Sequence, residues 1–420
     1  MSAVNVFVSN EPAGTISHSD LEEDTFLFHY ASSAREHDAV SLTMPVVEDQ
    51  YDSMGMIHPI FEMNLPEGAL RRALELKFAK VIPDFDSLGL LSIVGRSQIG
   101  RLRYGTGTQP EEAQPTQSVA ELLSYKGAED FFAALLERFA AHSGVSGMQP
   151  KVLVRDGDEG QYERLTDKGA THIVKSFDPN DYPELAANEF FSMKAAQYAG
   201  LPIPPLQLSA NRRMLVIERF DRNEDGTYLG FEDFCVLMGL RAGGRYDRSY
   251  EELAQKIKVY VSPEHHSGAM RQLFGTVVLA CAIKNGDAHL KNFAILYDLP
   301  GENVRLAPVY DMLSTAPYVP KDVLALTLSG KKAYPSRDEL VRYGRQCCGL
   351  SARQTEQILL QVATGIRQAL DELRIYAEEK VDFRHAASHF QGIFEVGIEF
   401  LTSKANEPDA PPIDHAGSTP

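Results

Sequence analysis

Eight residues from Asn285 to Asn292, reading Asn-Gly-Asp-Ala-His-Leu-Lys-Asn, place five polar side chains between two mostly apolar runs, Phe274 to Ile283 and Phe293 to Leu296. Setting an Asp, a His, a Lys and two Asn between core-forming segments is costly unless they pair with one another or line a cavity. Asp287 and Asn292 stand five positions apart. That spacing can bring a proton acceptor and a neutral oxygen ligand for a metal to one phosphate. It matches the D-x-x-x-x-N of kinase catalytic loops, in which the Asp handles the acceptor proton and the Asn binds magnesium. An Asx-rich turn after the helix that ends near Lys284 would explain Asn285-Gly286. It would not explain His289, Lys291 and Asn292 placed directly before another apolar strand.

Three other elements bear on the same chemistry. Asp311 closes Leu306-Ala307-Pro308-Val309-Tyr310-Asp311, nineteen residues after Asn292. It lies where a second metal-binding carboxylate should be, and Mg²⁺ favours a few hard oxygens with phosphate and water. The usual Asp-Phe-Gly is absent, since Met312-Leu313 follows. Lys175 lies in an apolar strand beside Ile173, Val174 and Phe177, so its ammonium needs a partner. Glu189 shares a helical row with Leu185, Met193 and Ala196 and turns a carboxylate inward. A strand lysine held by a helix glutamate is how a kinase aims an ammonium at phosphates. The small residues of Ser143-Gly144-Val145-Ser146-Gly147-Met148-Gln149-Pro150-Lys151 would let main-chain N–H groups approach phosphate, with Lys151 adding charge. Taken alone, that loop is an ordinary helix-to-strand turn. His289 has no second His or Cys nearby and is expected as a hydrogen-bonded core or phosphate-side residue, not a metal ligand. Arg241, Arg245 and Tyr246, around Gly243-Gly244, are expected in a plain solvated loop, with a basic surface loop near the acceptor site as the alternative.

The elements that must position these residues follow from pattern. Of 420 residues, 44% are apolar and 24% charged, which predicts a globular chain of two or three packed units. A net charge of −17 argues against broad binding to nucleic acid or anionic membrane. The four cysteines show no CxxC spacing, no apolar run reaches membrane-span length, and the N-terminus carries no secretory signal. A reduced cytoplasmic protein is expected.

Residues 1–105 form a first, β-rich unit, with Val4, Val6 and Val8 alternating and a helix over Ala69 to Lys80. Leu90 to Arg96 is expected as a strand or short buried segment. Residues 106–130 give a linker and the start of a helix whose apolar face is Phe131, Phe132, Leu135, Leu136 and Phe139. Residues 131–220 hold strands at Val152–Val154, His172–Lys175 and Met214–Phe220, and a helix from Glu184 to Tyr198 stopped by Gly200 and Pro202. Residues 221–402 turn helical, with capping boxes at Ser249–Glu252 and Ser351–Gln354. Residues 403–420 are polar and Pro-rich, and disorder is expected. This order, strand-rich then helix-rich, predicts an α+β, two-lobed body with a nucleotide between the lobes.

Four segments together carry a resemblance to the HipA family of bacterial serine/threonine-kinase toxins. They are Pro59–Gly68 (PIFEMNLPEG), Ser146–Lys151 (SGMQPK), Asn285–Phe293 (NGDAHLKNF) and Ala307–Ser314 (APVYDMLS). The resemblance runs from the first strands to about residue 400. It implies a eukaryotic-protein-kinase-like fold with an unusual N-terminal subdomain and a mainly helical C-terminal lobe. It implies ATP and Mg²⁺ as cofactors, and phosphorylation of a translation component, typically an aminoacyl-tRNA synthetase, with growth arrest or persistence as the outcome. It also implies a helix-turn-helix, HipB-like antitoxin through which operator DNA is mainly contacted.

Position by position, Asp287 is similar to the family's catalytic base, Asn292 and Asp311 to its magnesium ligands, and Lys175 to its phosphate-binding lysine. Ser146, Gly147, Met148, Gln149, Pro150 and Lys151 resemble the ATP-covering loop. Glu218, Arg219 and Phe220 resemble the adenine hinge, with Glu218 and Phe220 acting through main-chain groups. His289, Lys291 and Tyr310 fall in nucleotide-site segments, and Glu189 is the partner expected for Lys175. Family members often carry an autophosphorylated serine where this chain has Gly144, leaving Ser143 and Ser146 as the neighbouring candidates. A phosphate there would displace the loop by repulsion from the ATP phosphates. A small-molecule kinase of the same broad fold leaves Pro59–Gly68 unexplained. A non-catalytic corepressor working with an antitoxin has no need of Lys175, Asp287, Asn292 and Asp311 together.

Overall fold

A computed structural model describes residues 3–22, 24–47, 50–78, 85–96, 98–107, 116–125, 151–156, 170–177 and 179–403. The first sheet joins β1 (Ala3–Val8), β2 (Glu11–His18), β3 (Thr25–Tyr30), β4 (Gln50–Met54) and β5 (Leu102–Gly105) in the antiparallel order β4-β3-β2-β1-β5. Val4, Val6 and Val8 face its core as the alternation requires. A register shift at Val6/Phe7 lets Phe7 be buried as well.

Of the two readings for Leu90 to Arg96, the short buried segment holds and the strand does not. Helix Ser87–Val94 forms there, capped by the Asp86 carboxylate, which accepts the Gly89 N–H at 2.9 Å. Leu88, Leu90, Leu91 and Val94 are buried. A short, mostly apolar run has no period to separate the two readings, and the cap decides.

The second sheet contains β6 (Thr116–Gln117), β7 (Lys151–Asp156), β8 (His172–Ser176), β9 (Leu206–Leu208) and β10 (Met214–Glu218) in the order β6-β7-β8-β10-β9. Against it lies helix Leu185–Tyr198. The region after Asp221 is helical with one addition: β11 (Gly230–Asp233), β12 (Ala294–Tyr297) and β13 (Arg305–Leu306) make a third, antiparallel sheet. Both expected capping boxes are present, together with a third at Ser336 and Glu339. Helices Tyr250–Tyr260, His266–Ala282, Ala352–Glu379 and Arg384–Thr402 bury their apolar faces in one large core. Gly365 lets helix Ala352–Glu379 approach helix Leu185–Tyr198, because a Cβ there would strike the Ala195 carbonyl.

Buried charges join the first sheet to the rest. Glu232 on β11 accepts the Ser41 hydroxyl at 2.5 Å, the Leu42 N–H at 2.8 Å and the Tyr297 hydroxyl at 2.7 Å. Arg101 donates to the carbonyls of His37 (3.0 Å) and Ala39 (2.6 Å) and lies over the Tyr297 ring. The four cysteines are free, and no helix among the described residues is long and apolar enough to cross a membrane.

Candidate active site

Antiparallel pairing of β7 with β8 sets Lys151 directly opposite Lys175. Two like charges facing each other across strands destabilise a sheet unless an anion lies between them. Here that anion is Asp311. Its Oδ2 is 3.3 Å from Lys151 Nζ, and its Oδ1 accepts a hydrogen bond from Lys175. Lys175 also donates to Glu189 of helix Leu185–Tyr198, so the expected Lys–Glu pair is formed. Burial alone would push the Asp311 carboxyl up, but Lys151 and Lys175 hold it well below the usual carboxylate range. Burial would likewise lower Lys175, and Asp311 and Glu189 outweigh that and raise it. Burial pushes Glu189 up, and its Oε2 has no hydrogen-bond partner among the described residues. Asp311 adopts φ +55°, a left-handed conformation uncommon for a residue with a Cβ, at the centre of this cluster.

The Asn285–Asn292 stretch is built by a helix end. Lys284 takes φ +57° after helix His266–Ala282. The Lys284 N–H then reaches the Cys281 carbonyl at 3.4 Å and the Asn285 N–H reaches the Ala280 carbonyl at 2.8 Å, a Schellman ending. Asn285 Oδ1 accepts the Asp287 N–H at 2.9 Å, and Asn292 Oδ1 accepts the His289 N–H at 3.0 Å. Gly286 is confined: its N–H donates to the Thr315 hydroxyl at 2.7 Å, and a Cβ would strike the Asp322 carboxylate. The loop thus holds Asp287 with its side chain 48% exposed.

The structure corrects one expectation about this loop's surroundings. Arg245 and Tyr246 are not in a plain solvated loop. The Tyr246 hydroxyl donates to Asp287 Oδ1 at 2.6 Å, and its ring meets His289 edge-on at 5.0 Å. Arg245 donates to Glu67 at 2.6 Å, and its carbonyl accepts the Leu290 N–H at 3.2 Å. Lys291 also donates to Glu67 and does not point to the lysine–aspartate cluster. The Glu67 carboxyl, which burial would raise, is brought down to about 2 by Lys291 and Arg245. Sequence reasoning places Tyr246 near the acceptor site only as the lesser alternative, and it misses Glu67. Pro66-Glu67-Gly68 was a visible signal, but nothing local said what the carboxylate met.

The remaining expected residues divide. The Tyr310 hydroxyl donates to the Lys291 carbonyl at 2.8 Å, and the Tyr310 ring stacks on Phe220 at 5.7 Å. Glu218 ends β10 exposed, with its N–H given to the Pro205 carbonyl at 2.9 Å, so only its carbonyl remains for a hinge role. Arg219 cannot offer its guanidinium to a nucleotide. That group is sealed in the interior on Asp221 (3.0 and 2.6 Å) and the Gln98 carbonyl (2.8 Å), and its main-chain N–H goes to Thr171. Ser143, Ser146, Gly147, Met148, Gln149 and Pro150 lie outside the described residues.

His289 is buried, and burial lowers its imidazole from 6.5 to about 4 against the pull of Asp287. Burial lowers His58 to about 4 in the same way. Each unfolded imidazole takes up a proton below 6.5 that the folded one refuses until about 4. Stability should therefore fall as pH drops through that window, by up to about 3 kcal/mol per histidine. Glu67 keeps its contribution until lower pH, since its stability is lost only as pH falls from 4.5 through about 2. His289→Gln should flatten the fall between pH 6.5 and 4 by about half. Denaturant midpoints measured across that window check this, and an unchanged slope would mean that His289 is not held neutral.

A two-lobed, protein-kinase-like α+β fold with a β-rich N-terminal part and a mainly helical C-terminal part is the class these features define. The HipA N-terminal domain matches over residues 4–105 and the HipA-like C-terminal domain over residues 143–370. The chain belongs to the HipA family. Along its length it is similar to "Putative kinase Y4dM" of Sinorhizobium fredii, 27% identical over 413 residues that cover 92% of this chain and 94% of that one. A "Putative kinase" of Haemophilus influenzae is 30% identical over 188 residues, covering 41% of this chain and 53% of that one. Among solved structures, HipA of Shewanella oneidensis, determined with HipB and operator DNA, aligns with a TM-score of 0.69 at 21% identity. That alignment covers 94% of this chain and 96% of that one.

Proposed function

We propose that this chain is an ATP- and magnesium-dependent serine/threonine protein kinase and the toxin of a toxin–antitoxin pair. One observation carries the reading: two facing strand lysines share an aspartate that they keep ionised, and the same lysine is held by a helix glutamate. A purely structural sheet gains nothing from two buried ammoniums set opposite each other, whereas phosphate binding needs them. Residues 131–220 supply the nucleotide side and residues 221–402 the acceptor side. Glu218 and Phe220 offer main-chain groups to the adenine, beside the Phe220–Tyr310 stack.

The residues present fit a magnesium ion. Asn292 Oδ1 and the ionised Asp311 carboxylate are hard oxygens, and among the described residues no group of three or more His, Cys, Asp or Glu forms a cage of its own. Asn292 and Asp311 would hold it with the phosphates, and when bound it shields their charge. Asp287 takes the proton of the acceptor hydroxyl as that oxygen bonds to the γ-phosphorus. The bond from the γ-phosphorus to the β–γ bridging oxygen breaks, and ADP leaves. Lys151 and Lys175 exchange Asp311 for phosphate oxygens.

The acceptor we propose is a component of translation, of the aminoacyl-tRNA synthetase class, in the cytoplasm. A helix-turn-helix antitoxin would supply most of the contact with operator DNA, as suits a chain of net charge −17. The Shewanella complex supports such a partner. Ser143 or Ser146 is proposed as a self-modified site that silences the kinase. Labelled ATP, Mg²⁺ and a cell extract, incubated with the protein beside an Asp287→Ala variant, test the reading. Label should enter a protein only with the unaltered chain, and no label in either sample, from protein whose intact mass shows no phosphate already attached, would sink the proposal.

A further inference from the structure

We infer that Tyr246 and Glu67 are positioning residues for Asp287, and that the N-terminal unit thereby completes the catalytic loop from outside it. The inference rests on the kinase reading for the role of Asp287. The geometry under it stands alone. Asp287 sits on a loop whose own bonds fix its main chain, through Asn285 Oδ1 to its N–H, while its carboxylate takes no hydrogen bond from within the loop, His289 Nε2 standing 3.9 Å from Oδ1. A proton acceptor with one exposed, freely turning carboxylate spends little time in the productive geometry. The Tyr246 hydroxyl ends that freedom. It donates to Oδ1 at 2.6 Å, which directs Oδ2 to the acceptor.

Tyr246 can do this only because its own loop is fastened. The Ala242 N–H donates to Glu62 at 3.1 Å, Arg241 donates to the Met54 carbonyl, and the Arg245 side chain goes to Glu67. All three acceptors belong to the first 70 residues. Glu67 holds both sides of the site at once, with Arg245 next to Tyr246 and Lys291 four residues after Asp287. Lys291 and Arg245 are mostly buried, so neutralising Glu67 would leave two cations without their anion. A gate that opens for each substrate would not be fastened at so many points; this arrangement is a brace.

Full-length Tyr246→Phe and Glu67→Gln, with the double variant, test it by three readouts: ATP affinity, kcat per folded molecule, and amide exchange over residues 287–293. Tyr246→Phe should lose about tenfold in kcat, which is ~1.4 kcal/mol of barrier, with ATP affinity held within about twofold. Glu67→Gln should lose at least as much and speed exchange in the loop. The double variant should lose less than the product of the two, because both act through one carboxylate. Unchanged kcat in Tyr246→Phe overturns the inference. So does a Glu67→Gln chain that is less stable yet has normal kcat per folded molecule and normal loop exchange. If the unaltered protein transfers no phosphate, the kinase reading fails, and the exchange rates still decide whether Glu67 holds the loop.

Discussion

Asp287→Asn should slow phosphoryl transfer to a protein hydroxyl by about 10³-fold while ATP still binds. Positioned general bases contribute about 10²–10⁴ in rate. On the proposed reading, the substitution removes the base and keeps its shape. The main-chain N–H still reaches Asn285 Oδ1, and the amide oxygen can still accept from Tyr246. Lys175, Glu189 and Asp311 do not touch the altered side chain, so nucleotide affinity should hold within about threefold, a difference under ~1 kcal/mol. Single-turnover transfer measured beside calorimetric ATP binding checks both halves. Transfer within about tenfold of the unaltered rate would show that another group accepts the proton.

The second large effect concerns stability. Asp221→Ala should cost about 3–5 kcal/mol, a large part of the total of a typical domain. The Asp221 carboxylate is 1% exposed and its partner guanidinium 0%. Asp221 also accepts the Gly100 N–H at 2.6 Å, tying the approach to β5 to the end of β10. Removing it leaves Arg219 charged and desolvated, with two carbonyls and the face of the Tyr228 ring but no anion against it. The double variant Arg219→Met, Asp221→Leu should cost less than either single change, because no unpaired charge remains. Urea unfolding monitored by circular dichroism gives the comparison. A cost below about 1 kcal/mol for Asp221→Ala would mean that water reaches the arginine.

These two sites show where sequence reasoning reaches and where it stops. Asp287 and Asn292 were legible because their spacing is local and their polarity conflicts with their neighbours. Lys175 and Glu189 were legible because strand and helix periods turned both inward. Lys151 was placed only in a loop. That it faces Lys175 is a matter of strand register, which the sequence does not state. Arg219 was read as part of a hinge, since nothing in Glu218-Arg219-Phe220-Asp221 announces that an arginine will fold back onto the aspartate two residues on. Glu67 meets Lys291 across 224 positions, and no periodicity spans such a gap. The helix at Ser87–Val94 was ambiguous because so short and mostly apolar a run satisfies both periods.

Asn188 precedes Glu189 on the same helix, and its amide grips the main chain of Ser314 twice, donating to the carbonyl at 2.8 Å and accepting the N–H at 2.9 Å. Ser314 follows Asp311 by three residues. The helix that holds Lys175 and the segment that carries Asp311 are therefore one mechanical piece. Rotating the helix away from Lys175 would strand a buried peptide's donor and acceptor together, at about 1–3 kcal/mol for each. Switching by a swinging helix is thus penalised twice in this chain. Any reversible silencing is cheaper at the mouth of the proposed nucleotide site than at its frame.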